Sequence, residues 1–424
     1  MREEIKERIA MIKRGEVPEG YKKTKMGIVP EDWECLKIKD CIERVGKPVE
    51  VQENEEYVQI GIRSHGKGLF YKEPVTGKEL GKKNVYWIEP NCFILNIVFA
   101  WEQAVGKTTE EERGLICSHR FPMYRSVDDK VLIDYLVYFF LTDKGKEIME
   151  KASPGGAGRN RTLGQERFLK SFIVVPPMQE QIKISKMLSL VNCRIKLIDN
   201  LISEKFEQKE WLIQNLFTGK RRINGFNKEW RSLKLEEVLE EVKEKNVEMK
   251  KQVYSVSVKK GIVNQEEHLG RSYAAKDTSN YNVVSYGDLV YTKSPTGEFP
   301  YGIIKQSMET KKVAVSPLYG VFRPVNIELG YIIHSFFQSK SNVYNYLHPI
   351  VQKGAKNTIN VSNSTFLSRK LYLPTDIKEQ QAIAQILSQA DKEIELQKQK
   401  LEQLELEKKA IMQLLLTGIV RVNH

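Results

Sequence analysis

Loops that combine glycine with basic and amide side chains carry the most suggestive chemistry in this sequence. Lysine and arginine supply counter-charge to phosphate, and glycine lets the backbone approach a phosphate closely. Arginine and lysine can also pair with guanine, and asparagine and glutamine with adenine, in the major groove of DNA. The candidate nucleic-acid contacts are Arg63, Lys67, Arg120, Arg159, Asn160, Arg161, Lys259, Lys260, Arg271, Lys293, Lys353, Lys356 and Asn357.

Each of these loops, taken alone, is more simply interpreted as a solvated surface turn. One of them, however, occurs twice. Gly158-Arg159-Asn160-Arg161-Thr162-Leu163 has a later counterpart in Gly354-Ala355-Lys356-Asn357-Thr358-Ile359. Because glycine, a cation and an amide recur together, a base contact and an ordinary surface turn are about equally well supported for this pair.

Motifs of familiar enzyme chemistry are missing from the sequence. Gly106-Lys107-Thr108-Thr109 resembles the end of a phosphate-binding loop, but the glycine that this motif requires is replaced by Trp101. The six histidines show no metal-ligand spacing. Neither an amino-methyltransferase motif nor a nuclease cluster of carboxylates and lysine is found. The absence of these motifs shifts the balance toward a binding protein, and we expect no metal site.

The composition is typical of a globular protein with several domains. A chain of 424 residues allows roughly two to four domains. Lys and Arg exceed Asp and Glu by 12, which favours a polyanionic partner. The apolar runs are too short to cross a bilayer, and the charged N-terminus lacks the apolar region of a signal peptide. Five scattered cysteines indicate free thiols, so we expect a cytoplasmic protein.

An internal repeat organises the elements that must position these loops. Leu216-Phe217-Thr218-Gly219 recurs as Leu415-Leu416-Thr417-Gly418, and Glu180-Gln181 recurs as Glu379-Gln380. A weaker correspondence runs through the segments before them. Each half of the chain therefore reads as a mixed domain followed by a shorter segment.

The shorter segments have the period of long helices. Apolar residues at Ile184, Leu188, Val191, Ile195 and Ile198 alternate steps of four and three, which predicts a coiled-coil seam. Prolines precede both segments, and Gly219 and Gly418 suit the position just beyond a helix. The predicted parts are an N-terminal helical segment at 1–20 that completes the repeated frame, mixed domains at 21–175 and 223–373, and helical regions at 176–222 and 374–424.

The mixed domains are predicted to be α+β. Period-2 alternation indicates strands at 57–62 and 253–258, and 283–293 reads as strand, turn, strand. One helix per domain is expected near 133–150 and near 329–347.

The charge of the two mixed domains differs. Residues 223–370 hold 21 basic and 14 acidic side chains, whereas residues 20–175 hold 25 and 23. That difference suggests two unlike binding domains on a common frame. Three classes of function stay open at this point: a protein that reads DNA sequence at two half-sites, a nuclease or methyltransferase, and an RNA-binding or scaffold protein.

The repeated motifs also resemble a known family. The segment Gly20-Tyr21-Lys22-Lys23-Thr24-Lys25-Met26-Gly27-Ile28-Val29-Pro30-Glu31-Asp32-Trp33 is similar to the start of a specificity subunit of type I restriction-modification systems. The same holds for Pro176-Pro177-Met178-Gln179-Glu180-Gln181 and for both Leu-x-Thr-Gly motifs. The resemblance extends over essentially the whole chain.

This resemblance implies two similar α/β target-recognition domains, 21–175 and 223–373, separated by two long antiparallel helices in a pseudo-twofold repeat. Each domain would read one half of a bipartite double-stranded DNA site, and the helices would set the spacer. Two modification subunits would dock on the helices and carry S-adenosylmethionine and adenine methylation. Restriction subunits would add cleavage that depends on ATP and Mg²⁺. No membrane partner and no cofactor in this chain are expected.

Overall fold

The chain folds into two units that each combine distant parts of the sequence. The computed structural model describes residues 3–155, 161–218, 222–249, 251–258, 260–269, 276–353 and 359–422, without the side chains of 268, 269, 352, 353 and 359. The first unit comprises residues 1–198 and 400–424. The second comprises residues 199–399.

The first unit is built from short strands, short helices and parts of two long helices. Its strands are β1 Tyr21–Thr24, β2 Gly27–Pro30, β3 Glu34–Lys37, β4 Ile42–Val45, β5 Lys47–Pro48, β6 Glu56–Tyr57, β7 Ile60–Ile62, β8 Leu69–Tyr71, β9 Val75–Thr76, β10 Val85–Trp87, β11 Phe93–Leu95, β12 Val105–Lys107, β13 Ile116–Ser118, β14 Met123–Ser126 and β15 Phe172–Val175. Its helices are α1 Glu3–Arg14, α2 Gly77–Leu80, α3 Ile133–Phe140, α4 Asp143–Ala152 and α5 Gln165–Lys170, and the long helix α6 Met178–Phe217 begins in it.

The second unit repeats this plan. Its strands are β16 Arg231–Lys234, β17 Leu239–Glu241, β18 Val253–Ser257, β19 Gly261–Asn264, β20 Asn282–Val284, β21 Leu289–Tyr291, β22 Ile304–Gln306, β23 Val313–Val315, β24 Gly320–Pro324, β25 Gln352–Lys353, β26 Ile359–Asn360 and β27 Lys370–Leu373. Its helices are α7 Gln265–Leu269, α8 Ile327–Phe336, α9 Lys340–Leu347 and α10 Asn363–Leu367, and the second long helix α11 Ile377–Leu416 begins in it.

The sheets confirm that the two halves share one topology. A four-stranded antiparallel sheet has the order β12-β11-β14-β4 in the first unit and β22-β21-β24-β17 in the second. In each unit a strand near the start of the mixed domain pairs with the strand that leads into the long helix. These pairs are β3 with β15 and β16 with β27. The fold is therefore a duplicated α+β arrangement with two long helices, as the sequence predicted.

Two kinds of element that the sequence predicted as continuous are divided in the structure. Each single helix expected near 133–150 and 329–347 is a pair, α3 with α4 and α8 with α9. In the first unit the break follows from N-capping, because the hydroxyl of Thr142 accepts the N–H of Gly145 at 3.2 Å. In the second unit Ser339 occupies the N-cap position of α9 with an extended backbone but without a side-chain cap hydrogen bond. The strand predicted at 57–62 is divided between β6 and β7, whereas β18, β20 and β21 form where expected.

The long helices belong to the hydrophobic core of both units. In the first unit Ile184 and Leu188 of α6 pack with Leu415 of α11 around Trp33. In the second unit the cluster contains Ile213 and Leu216 of α6 and Ile383 and Leu387 of α11. The start of one helix thus meets the end of the other, so the helices run antiparallel within each unit. None of the helices in the described part of the chain is both long and apolar enough to span a membrane.

The helix boundaries follow the predicted signals. α6 begins directly after Pro176 and Pro177, and α11 begins three residues after Pro374. Gly418 follows α11 with a left-handed φ of +72°, as expected of the position after a helix. A Cβ at this glycine would also lie 2.4 Å from Cδ of Pro30, so only glycine fits. Gly219, its counterpart, lies outside the described residues.

A buried ion pair joins the two helices in the first unit. Arg421, just beyond α11, donates from Nε to Oε1 of Glu180 at 2.8 Å, and Glu180 lies in the first turn of α6 with a side chain 1% exposed. The other carboxylate oxygen accepts the indole N–H of Trp33 at 2.9 Å. Arg421 also contacts Asp32, and these hydrogen bonds raise its pKa.

The second unit has the equivalent pair. Arg222 donates to Oε2 of Glu379 at 2.7 Å, and the Glu379 side chain is fully buried at the start of α11. Here the indole N–H of Trp230, the counterpart of Trp33, has no hydrogen-bond partner among the described residues. The repeated Glu and Arg of the sequence are therefore the two ends of one interaction, formed once in each unit.

The lysine that interrupts the apolar period of α6 forms a polar cluster inside the second unit. Lys209 is 4% exposed and donates to Asp391 of α11 and to Gln338. The hydroxyl of Tyr331 donates to the same carboxylate at 2.6 Å. Lys305 lies within electrostatic reach of Lys209 and Asp391, and burial lowers its pKa to about 8. Lys209, which interrupts the apolar period of α6, therefore fixes which part of α11 lies opposite it in this unit.

The first unit places its carboxylate on a different element. Asn192 of α6 stands where the repeat has Asp391, and its amide donates to the hydroxyl of Tyr138 at 3.0 Å. Asp134 of α3 stands where the repeat has Tyr331, and it accepts a hydrogen bond from Lys107 at 2.7 Å. Each unit thus holds one Asp–Lys pair here, on the long helix in the second and on the domain helix in the first.

The ion pair of the first unit yields a stability prediction. Arg421→Ala is expected to destabilise this unit by about 3–5 kcal/mol, because it leaves the buried Glu180 carboxylate without its cation. Hydrogen exchange of β1–β3 under increasing denaturant measures the loss. Lys151→Ala removes an exposed pair with Glu147 and serves as the control, with an expected cost of at most about 1 kcal/mol. Equal losses in the two variants would contradict a structural role for the pair.

Candidate nucleic-acid interface

A compact turn at residues 96–103 is the centre of the candidate interface in the first unit. It connects β11 to β12 and closes on itself, because Asn96 N–H donates to Ala104 O at 2.9 Å and the Asn96 side chain accepts the N–H of Val98. Gln103 ends it in the left-handed conformation, with φ of +58°. The Gln103 amide donates to the carbonyl of Phe140 at 2.9 Å, which anchors the turn to α3.

The predicted loop around Arg63 and Lys67 attaches to this turn through its backbone. His65 N–H donates to Glu102 O at 2.8 Å, and the Ser64 hydroxyl donates to the Glu102 carboxylate at 2.8 Å. Gly66 has φ of +65°, and a Cβ there would lie 2.5 Å from Leu141. Glycine is therefore required for the loop to lie this close to the domain core.

The other two predicted loops of this domain reach the same turn. Ile97 N–H donates to Arg120 O at 3.0 Å, and Ile97 O accepts the N–H of Leu163 at 2.8 Å. One residue of the turn thus bridges the loop that carries Arg120 and the end of the loop that carries Arg161. The structure thus brings together three loops that are distant in the sequence. The loop of Arg63 and the loop of Arg120 are about 60 residues apart, and the loop of Arg161 follows after about 40 more.

The predicted cations of this domain differ in how firmly they are held. The Arg161 guanidinium lies 5.5 Å from the ring centre of Trp101, whose indole N–H donates to Val98 O, so a fixed ring orients the charge. The Arg63 guanidinium lies 4.9 Å from the ring centre of Phe70. Two of the arginines are therefore oriented by aromatic rings, whereas Lys67 and Arg120 are exposed.

The corresponding segment of the second unit presents lysine. Lys293 follows β21 with φ of +53°, and burial lowers the pKa of its ammonium group. Gly302 lies against it, since a Cβ there would be 3.0 Å from the Lys293 N atom. Lys260 is exposed in the turn between β18 and β19. The structure therefore places both lysines at turns of the second unit.

Several predicted contacts lie outside the described residues. These are Arg159, Asn160, Lys259, Arg271, Lys356 and Asn357. Lys353 ends β25, and its side chain is likewise not described. Their contribution stays a prediction.

Sequence reasoning missed the aromatic side chains of this surface. Trp101 and Phe70 support arginines, and Phe99 and Tyr71 are exposed beside them. A signal was present, because the adjacent aromatic residues Phe70 and Tyr71 lie between Lys67 and Lys72, and nucleic-acid surfaces combine basic with aromatic side chains.

The described residues offer little other chemistry. Burial raises the pKa of Cys41 and Cys92 to about 11 and that of Cys117 to about 12, so these thiols stay protonated at neutral pH. Within the described ranges, no group of three His, Cys, Asp or Glu side chains is arranged to hold a metal ion.

Comparison with protein families identifies a duplicated domain. The family model described as type I restriction modification DNA specificity domain matches residues 30–204 and again residues 227–406. The two matches cover most of the chain.

Individual relatives agree with this match over nearly the full length. Two specificity subunits of type I restriction enzymes from Methanocaldococcus jannaschii, named MjaX and MjaVIII, are 24% and 26% identical. The alignments cover 96% and 93% of this chain and 97% and 95% of the relatives.

Two solved structures share the fold. A chain from a type I restriction-modification complex has a TM-score of 0.56 at 14% identity, covering 92% of this chain and 99% of that one. The S subunit from M. genitalium has a TM-score of 0.54 at 12% identity, covering 92% and 96%.

Proposed function

This chain belongs to the family of type I restriction-modification DNA specificity proteins, and from that premise we propose that it reads a bipartite DNA site, one half with each unit. The observation that carries the proposal is a duplicated frame with two unlike sets of loops. In the first unit three cationic loops converge on the turn at 96–103, with arginines held over aromatic rings. In the second unit the equivalent turn carries Lys293.

The long helices are proposed to set the spacer between the half-sites. Each has 40 residues, a length of about 60 Å. Each contributes its first part to one unit and its last part to the other. A continuous helix shared in this way is a stiff connection, and its length in residues would fix the distance in base pairs.

The same helices are proposed to bind two modification subunits. Met187 and Leu197 of α6 are exposed, and their repeat counterparts Ile386 and Leu396 of α11 are exposed as well. Exposed apolar surface is a feature of interaction sites, and here it recurs at equivalent positions of both helices. Two equivalent docking faces would suit two copies of one partner.

The chemistry is proposed to reside on the partners. This chain would be non-catalytic, with S-adenosylmethionine on the modification subunits and ATP and Mg²⁺ on restriction subunits. A cytoplasmic location remains part of this prediction.

Methylome sequencing of cells that express the chain with its modification partner tests bipartite reading and the role of the helices. We expect methylated adenines in an asymmetric two-part word. Deleting one heptad from both α6 and α11 removes about 10 Å, so the spacer should shorten by about three base pairs while both half-words persist. An unchanged spacer in a folded variant would contradict the proposed role of the helices.

Two substitutions in the first unit separate base reading from phosphate contact. Arg161→Ala should cost about 1–3 kcal/mol on the cognate duplex and relax one base position. Lys67→Ala should weaken all sequences alike and reduce the salt slope by about one. Anisotropy titrations on cognate and single-mismatch duplexes measure both effects, with Lys151→Ala as the control. Loss of specificity in Lys67→Ala alone would reverse the assignment.

The docking faces yield a prediction of stoichiometry. Leu197→Lys and Leu396→Lys should each remove one modification subunit, because a lysine replaces an exposed apolar contact without disturbing either core. Native mass spectrometry of the complex counts the subunits. Leu406→Lys is the control, since Leu406 is exposed but its repeat counterpart is Glu207. A double variant that still holds two partners would refute this surface.

A further inference from the structure

A hollow of about 360 Å³ opens in the first unit beside the loop that carries Arg120. It lies between β4, β10 and the turn that joins β13 to β14. Its volume falls at the lower end of sites that hold small ligands. The residues that line it are Arg44, Val45, Gly46, Tyr86, His119, Phe121, Pro122 and Met123.

The sheet fixes the aromatic wall of this hollow. Tyr86 is on the central strand of a three-stranded sheet, where it pairs with Pro48 on one side and Cys117 on the other. Gly46 lies under its ring, and a Cβ there would be 3.3 Å from Cδ1 of Tyr86. Phe121 packs partly against the apolar cluster beneath. The rings are thus held by the fold and are only half-buried, which leaves part of their faces open.

The polar groups of the hollow make few contacts with the part of the chain that the structure describes. Among the described residues, the Arg44 guanidinium and the Tyr86 hydroxyl have no hydrogen bond or ion pair. The neighbouring carboxylate of Glu43 is engaged by Arg125 at 2.6 Å, so it does not neutralise Arg44. The His119 ring reaches only Ser118, at 3.5 Å. A cation, an imidazole and a phenol therefore surround an empty space next to the proposed DNA interface.

This combination matches one class of ligand. Aromatic faces stack on a base, and an arginine beside them binds its phosphate. We propose that the hollow of the first unit receives a single unstacked nucleotide of the bound DNA, with its base between Tyr86 and Phe121 and its phosphate at Arg44. This inference rests on the proposed function. An enzyme that modifies a base takes it out of the duplex and leaves the opposite nucleotide unpaired, and that nucleotide is the occupant we infer.

The second unit provides a natural comparison. Strand register makes Glu241 the counterpart of Arg44, because Glu241 pairs with Phe322 as Arg44 pairs with Tyr124. Likewise Asn282 pairs with Val315 and Lys245 as Tyr86 pairs with Cys117 and Pro48, so a buried asparagine stands in place of the tyrosine.

A hollow of about 450 Å³ lies beside β17 in the second unit, but it is formed by β17, the residues that follow it and Arg323. Glu240, Glu241 and Glu244 line it together with Lys243 and Arg323, and no aromatic residue does. Of these two hollows, only that of the first unit combines aromatic rings with an arginine.

The test uses this difference. In complex with its modification partner, the full chain is titrated with cognate duplexes in which one methylated adenine, in either half-site, is replaced by an abasic analogue. The unmodified duplex gives the reference. The variant Arg44→Glu/Tyr86→Val installs the acid that the second unit carries at the counterpart of Arg44, and it removes the Tyr86 ring while keeping a residue that suits a strand. His119→Ser, which removes only the imidazole, is the milder variant if the double change lowers the unfolding temperature.

The expected result is an effect confined to one half-site. The wild type should bind the abasic duplex at least about fivefold tighter than the paired one, and the variant should lose most of that preference in one half-site and keep it in the other. The variant should bind the fully paired duplex within about threefold of the wild type. If the variants keep the full preference for the abasic duplex, the inference is overturned. Specific binding of the paired duplex in the same experiment would still uphold the proposed function. Absence of specific binding would instead refute the proposed function.

A second arm distinguishes the source of the nucleotide. Thymidine 5′-monophosphate is titrated into the full chain and followed by calorimetry. We expect no saturable binding at millimolar concentration. Saturable binding that Arg44→Glu/Tyr86→Val abolishes would overturn the inference, because it would assign the hollow to a free nucleotide.

Discussion

A buried carboxylate met by a guanidinium is the constraint on which both units depend. Glu180 and Glu379 sit in the first turn of α6 and α11 with almost no exposure, and a buried charge is costly unless a partner reaches it. In each unit that partner, Arg421 or Arg222, arrives just beyond the end of the other helix. Neither unit can satisfy its own carboxylate with one helix alone. The antiparallel arrangement in each unit is therefore required by charge as well as by the apolar seam.

On this frame the exposed residues are free to differ. The shared sheets and the ion pairs use buried positions, which must fit their neighbours. The hollows and turns use positions that face solvent, so the same strand register carries Arg44 in one unit and Glu241 in the other. A duplicated fold can in this way support two unlike recognition surfaces. The surface of the first unit is arginine and aromatic, whereas the described turn of the second is built around Lys293.

Much of the fold could be predicted, because its signals are periodic or repeated. The spacing from Ile184 to Ile198 indicated the helices, and the matching Glu and Arg positions identified the repeat. The helix break at Thr142 was harder to predict. The apolar run through Phe139 and Phe140 looks like a continuing helix, although Thr142 is the N-cap of α4. Most of the candidate site was less accessible. Arg44, Tyr86 and His119 are far apart in sequence, and only strand pairing brings them to one hollow. Lys209 looked like a defect in the period because its partner is on a helix nearly 200 residues later.

The exchanged position of the Asp–Lys pair has a consequence for how the halves can be recombined. If the mixed domain of the first unit were grafted onto the helices of the second, Asp134 would be introduced at the position where Tyr331 donates its hydroxyl to Asp391. Lys107 lies on the same grafted domain and would accompany Asp134, but Asp391 would lose the hydroxyl that Tyr331 donates and would gain a second carboxylate nearby. If instead the mixed domain of the second unit were grafted onto the helices of the first, Tyr331 would meet Asn192. The contact between domain and helix would then contain no carboxylate. Swapping domains between the two halves is thus not electrostatically neutral, although their backbones match, and a working chimera would have to carry its own helix segment with it.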